Sequence, residues 1–237
     1  MATADADQAR RFRQQTLALR AATLRDAMRL WPALDVANME ETFPAWLAAQ
    51  RILIRRDHRR TAALASTYLK AARFSSGVPG APVVLMADPP PDAQVVASMS
   101  TTARAGFFKA LQAGRTVEQA REVAMVRTLG ATGRLTLLGG RDTVRRSLAA
   151  DPRGAGWQRI ASGSACAFCR MLAGRGAIYS AETADFSAHD HCACTVAAVY
   201  STEPVAVRAY EPSARGAWSQ RATADDRERM SAALSGI

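Results

Sequence analysis

The sequence predicts a mostly α fold: a helical body followed by a small C-terminal α+β module with a short β-hairpin. Three observations carry that expectation. Long stretches without glycine or proline, with apolar residues at steps of three and four, fill most of the chain up to Ala150. After Pro152 the texture changes to short β-prone runs separated by glycine turns. All four cysteines and two of the three histidines fall between residues 162 and 200.

The first helix is expected from Asp7 to Trp31, with Leu17, Ala21, Leu24, Met28 and Trp31 on one face, and Pro32 stops it. A second opens at Thr42, Phe43 and Pro44, because proline is tolerated in a first turn. It carries Trp46, Leu47, Leu53, Leu64 and Tyr68 towards Phe74, where Ser75, Ser76 and Gly77 end it. Together these form an N-terminal helical region, residues 1–76. Residues 77–91 are a Pro/Gly linker, with Val83 to Met86 as a short extended piece. Residues 92–152 are the helical body. One helix runs there from Asp92 to about Leu111, and another opens at Thr116, where Thr-Val-Glu-Gln matches a capping box. Gly139 and Gly140 are expected to interrupt it, with Asp142 or Thr143 capping a continuation to about Ala150. Residues 153–202 form the Cys/His module, with strands at Trp157–Ile160, Ala177–Tyr179 and Thr195–Tyr200. Residues 203–237 are a basic polar tail with one candidate helix, Thr223–Leu234.

Composition narrows the function classes. The 237 residues are 49% hydrophobic, enough for a sizeable core, so disorder throughout is excluded. Net charge is +10, and Lys70 and Lys109 are the only lysines. Arginine's planar fork suits phosphate and carboxylate, so a partner rich in either is expected. No apolar run approaches the ~18 residues needed to span a bilayer, and the N-terminal residues lack the apolar core of a signal peptide. The cysteines are then expected to meet a reducing cytoplasm, where a clustered set points to metal rather than disulfides.

Cys166 and Cys169 form a Cys-x-x-Cys knuckle, the usual half of a structural zinc site. The other half comes from His189, His191, Cys192 and Cys194, about 20 residues on, a normal separation. If Ser187 to Val196 were one regular strand, alternation would put the histidines on one face and the cysteines on the other, leaving a four-cysteine site. If the chain turns at Asp190, His189 and Cys192 can join the knuckle instead. Six candidates thus compete for four tetrahedral positions, and the spacing alone does not choose among them. A catalytic zinc needs an open position and a nearby acid or base, for which Asp190 and Glu182 are the carboxylates considered. A module of about 50 residues has a small core, so a structural metal is expected to stabilise it and its loss to unfold residues 155–202 alone.

A second candidate is the run RRDHRR around His58. On a helix Arg55 pairs with Arg59 and Arg56 with Arg60, giving either a patch for nucleic acid or an acidic partner, or a solvated face. No Gly-x-Ser-x-Gly turn surrounds Ser162 or Ser164, so no hydrolase triad is expected.

The segment GWQRIASGSACAFCRMLAGRGAIY, followed by FSAHDHCACTVAAVY, resembles the C-terminal segment of MuF-like minor head proteins of tailed bacteriophages. The matching positions are Trp157, Cys166, Cys169, Tyr179, Phe186, His189, Cys192 and Cys194, which implies a zinc held by Cys166, Cys169 and two of His189, Cys192 and Cys194, with His191 not among its ligands. The stretches FPAWLAAQRILIRRDHRRTAALASTYLKAAR and LLGGRDTV look like the helical body of these proteins, so the resemblance spans roughly residues 43 to 202. It implies a non-enzymatic minor capsid protein acting in head morphogenesis, at the portal vertex inside the capsid and in the host cytoplasm during assembly. Portal protein and capsid subunits are the implied partners, with multiple copies per virion, possible non-specific contact with packaged DNA, and no membrane. The alternatives are a zinc-dependent nuclease or hydrolase, including a capsid maturation protease role, and a DNA-binding regulator, for which no helix-turn-helix signature stands out.

Overall fold

The computed structural model describes residues 3–163, 165–174, 186 and 188–201. The expected strand Ala177–Tyr179, the carboxylate of Glu182 and the tail helix Thr223–Leu234 lie outside them. The described chain is mostly helical, with one two-stranded antiparallel sheet. Its elements are α1 (Thr3–Leu30), a 3-10 turn (Trp31–Ala33), α2 (Met39–Ser75), α3 (Asp92–Met99), a π-helical turn (Ser100–Arg104), α4 (Ala105–Gln112), α5 (Val117–Ala150), β1 (Gly154–Ile160), α6 (Ala167–Gly174) and β2 (Thr195–Tyr200).

Helix α5 is the axis of the fold. From Gly130 to Leu148 most residues are buried, and the buried positions are mostly Gly, Thr and Leu on several sides of the helix rather than one amphipathic stripe. It starts at the expected capping box, with Thr116 Oγ1 accepting from Gln119 N and Gln119 Oε1 accepting from Thr116 N. It is not interrupted at Gly139 and Gly140. A Cβ on Gly139 would lie 2.1 Å from the His58 carbonyl oxygen, so the glycine is a notch into which α2 fits. Tertiary contact overrides the modest helix penalty of glycine.

Helices α1 and α2 pair antiparallel and lie along α5 rather than standing off from it. The buried face of α1 is Ala9, Phe12, Thr16, Thr23 and Ala27; of the expected stripe only Trp31 is fully buried, and Met28 is half-exposed. The seam uses small and hydroxyl residues because it contains a polar contact, Thr23 Oγ1 donating to Asp57 Oδ2 at 2.9 Å. Helix α2 begins at Met39, three residues before the expected start, which leaves Pro44 inside the second turn. Its start is fixed upstream, by Glu41 N and Thr42 N donating to the Asn38 carbonyl. The expected helix from Asp92 onward divides at the π-helical turn into α3 and α4.

The linker is fastened to α5. Val83 N, Leu85 N and Ala87 N donate to Asp151 Oδ2, Ser147 Oγ and Thr143 Oγ1 at 3.0, 2.9 and 2.9 Å. Two extended residues advance about 6.6 Å and four helical residues about 6 Å, so alternate amides meet every fourth helix position. Asp151 also receives the buried Arg73 guanidinium, which reaches on to the Pro79 carbonyl.

Strands β1 and β2 pair from Gly154–Tyr200 to Ile160–Thr195. They are joined by a long connection carrying α6, not by a tight hairpin. One apolar cluster joins the sheet to the helices: Trp157, Val196 and Ala198 meet Phe12, Tyr68, Leu69 and Leu148. A second gathers Trp31, Trp46, Val95, Met99, Phe107 and Leu135 at the other end. The cysteines sit on the first cluster.

Candidate metal centre

Two elements present the sulfurs. Cys166 immediately precedes α6 and Cys169 lies in its first turn, where the Cys169 amide donates to Cys166 Sγ at 3.4 Å. Over its described residues 188–196 the returning chain does not form one strand. It turns at Asp190 and His191, with Cys192 N donating to the His189 carbonyl at 3.1 Å, and β2 starts only at Thr195. This is the second of the two geometries open in the sequence. His189 thereby reaches the knuckle, and its Nε2 lies 3.1 Å from Cys166 Sγ.

Ligand-capable atoms fall into two groups that share Cys169: Cys166, Cys169 and His189, and Cys169, Cys192 and Cys194, each with its atoms within 4.8 Å of one another. Cys169 Sγ and Cys192 Sγ are 3.8 Å apart, matching the roughly 3.8 Å edge of a tetrahedron built on Zn–S bonds of about 2.3 Å. His189 Nδ1 contacts the Asp190 carbonyl at 2.6 Å. A proton held there leaves the Nε2 lone pair facing Cys166, the arrangement found in metal-ligating histidines. His191 is in neither group. Its backbone adopts φ 66°, its amide meets the Gly130 carbonyl, and a Cβ on Gly130 would lie 2.6 Å from its Nε2. It docks the turn on α5, beside an ion pair of 2.7 Å between Arg134 Nε and Asp190 Oδ1.

The electrostatics divide the sulfurs. Burial pushes the Cys169 thiol up to about 11, helped by Cys192. The contact with Cys194 pushes Cys192 up to about 12 and pulls Cys194 down to about 7, so one proton is shared unequally between them. At Cys166 burial acts upward, but hydrogen bonds from the Cys169 amide and His189 outweigh it and hold the thiol below its ordinary value. His189 is raised, chiefly by the Asp190 carbonyl. All four cysteines are free thiols. Four sulfurs and one imidazole converging in a mostly buried pocket are a donor set that fits a thiophilic divalent ion.

Two residues absent from the sequence-based ligand set complete the site. The Arg141 guanidinium donates to the Cys192 and Cys194 carbonyls at 3.0 and 2.7 Å and approaches Cys192 Sγ at 3.8 Å. Arg159 approaches Cys169 Sγ at 3.6 Å. Both guanidiniums lie over the Phe186 ring, at 4.5 and 3.7 Å from its centre. The available signal was an arginine, Arg141, directly after the apolar and glycine run LLGG.

Three of the four patch arginines are paired with carboxylates of the chain. Arg55 pairs with Asp92, Arg56 with Asp26 and Asp57, and Arg60 with Asp57. Arg59 is exposed. His58, between them in sequence, is buried. Among the described residues no helix is long and apolar enough to cross a membrane.

No curated protein and no solved structure matches the chain. The model of the family described as VG15 protein matches residues 3–219, from the first turn of α1 through the Cys/His module and beyond it. The match covers the helical body and the cysteine cluster as one unit, and the chain belongs to the VG15 protein family, a family of phage proteins.

Proposed function

We propose that this chain is a minor capsid protein with a MuF-like role in phage head morphogenesis, bound to the portal or the capsid interior, and that its Cys/His cluster holds a structural zinc. The observation that carries the reading is the family match over residues 3–219, which joins a phage family to the cluster-bearing module. The ligands of the zinc are Cys166 and Cys169 with two of His189, Cys192 and Cys194. Four protein ligands leave no position for a water to be activated, so the role is structural and not hydrolytic. Asp190, the carboxylate nearest the cluster among the described residues, is engaged by Arg134 and is a poor general base. The arginine surplus favours an acidic partner, a portal surface or packaged DNA, but Arg55, Arg56 and Arg60 are largely spent on intramolecular pairs.

The test has two parts. Reduced, full-length protein should carry a single zinc by elemental analysis, and tagged protein should co-purify with portal or capsid subunits from infected cells. Protein absent from heads and from portal complexes would overturn the assembly role. Sub-stoichiometric metal would overturn the zinc.

A further inference from the structure

Arg141 has an unusual setting. Its side chain is buried at the centre of the fold, 2% exposed, on a helix surrounded by apolar contacts. Among the described residues it makes no ion pair with a carboxylate; its acceptors are the Cys192 and Cys194 carbonyls and Cys192 Sγ. An arginine cannot shed its charge at neutral pH, and a buried cation without a counter-charge is strongly unfavourable. A divalent ion bound by three thiolates and a histidine carries one net negative charge, and by four thiolates two. Asp190 of the cysteine-bearing turn is taken by Arg134 at 2.7 Å, and Asp142, next to Arg141 in the chain, pairs with Arg145.

We propose that Arg141 is the counter-charge and positioning residue of a net-anionic, thiolate-rich metal centre, holding the Cys192–Cys194 segment in its ligating geometry. The assignment rests on the metal reading above and deepens it, because it fixes the sign of the loaded centre. Three hydrogen bonds, one to the Cys192 carbonyl and two to the Cys194 carbonyl, set the loop, and the same guanidinium faces Cys192 Sγ. Arg159 extends the positive field to Cys169 through its contact at 3.6 Å. The charge therefore favours the loaded state over the metal-free state. It also selects against a centre built from neutral ligands, whose charge would add to that of the arginine instead of cancelling it.

The experiment uses the full chain, with Zn2+ affinity measured by competition against a chromophoric chelator and Co2+ used to read the thiolate charge-transfer band. Arg141→Gln should weaken Zn2+ binding about 10- to 100-fold, the usual effect of removing an outer-shell partner. Arg141→Lys, which keeps the charge, should retain more of the affinity. The thermal midpoint of metal-loaded Arg141→Gln should fall more than that of the metal-free variant. Should Arg141→Gln not fold, Arg141→Lys against wild type and Arg159→Gln carry the same comparison, with weaker binding expected in both. A wild type that binds Zn2+ and a folded Gln variant that binds it as tightly would overturn the assignment alone. Equal losses of stability with and without metal would do the same, since that is a packing role. A wild type that binds no Zn2+ removes the metal reading and this assignment with it.

Discussion

His58 shows at a single residue how burial changes what a sequence run means. Within RRDHRR it reads as part of a charged surface, yet it faces the core, and burial pulls its imidazole down to about 4, with Arg59 adding to the effect and Asp88 opposing it. Below pH 6.5 the unfolded chain binds a proton that the folded chain refuses, so stability falls as the pH drops towards 4 and is unaffected above about 7. Near pH 4.5, in the lower part of that window, the loss is about 2 to 3 kcal/mol. Urea midpoints of wild type and His58→Gln at pH 7 and pH 4.5 should show a smaller pH-dependent fall in the variant. Parallel falls would mean that His58 does not titrate differently in the two states. At this scale the convergence of Cys166, Cys169, His189, Cys192 and Cys194 was legible because metal ligation demands particular atoms at particular spacings. Arg141 was not, since its partners are carbonyls and a sulfur some 50 residues away, and nothing local marks the pairing.

For the elements, caps and strands were legible and helix continuity was not. Thr116 and Gln119 satisfy the helix start with atoms three residues apart, so the signal is local and the structure keeps it. Gly139–Gly140 reads locally as a break, but its cause is contact with α2. Thr61 Oγ1 reaches over the notch to donate to the Thr136 carbonyl at 2.7 Å and accepts from Gly140 N at 3.1 Å. Likewise the α1 stripe was misplaced because its buried face carries Thr16 and Thr23, which hydropathy counts as polar. Gly139→Ala should therefore destabilise the protein despite a gain of about 1 kcal/mol in helix propensity. A Cβ 2.1 Å from backbone and 2.6 Å from Thr61 Oγ1 forces α2 away, a change expected to cost about 3 kcal/mol in all. Gly163→Ala meets nothing within 4 Å and should be close to neutral. Denaturant midpoints of the two variants distinguish a packing notch from a general intolerance of the chain to alanine.

For the whole molecule, the sheet's position decides what the metal stabilises. The sequence suggests a module that unfolds alone when its metal is removed, because about 50 residues bury little apolar surface by themselves. The sheet instead shares its core with the helices. Trp157 and Val196 are 1% exposed within the cluster that includes Phe12 and Leu148, Tyr68 Oη accepts from Ala198 N at 2.8 Å, and a Cβ on Gly154 would lie 2.3 Å from the Leu148 carbonyl oxygen. Loosening the cysteine loop therefore withdraws apolar cover from α1, α2 and α5, and frees the Cys192 and Cys194 carbonyls from Arg141 at the centre of α5. The binding free energy of a structural zinc, several kcal/mol at least, should then appear in the global transition. For a chain of this size each kcal/mol shifts the midpoint by roughly 2–4 °C. Chelation, or Cys169→Ser, should lower the melting temperature of the far-ultraviolet helical signal, with Trp157 fluorescence following the same curve. Helices that melt at an unchanged temperature while residues 155–202 become protease-sensitive would show instead that the two parts are energetically separate, and that the shared core contributes little to coupling them.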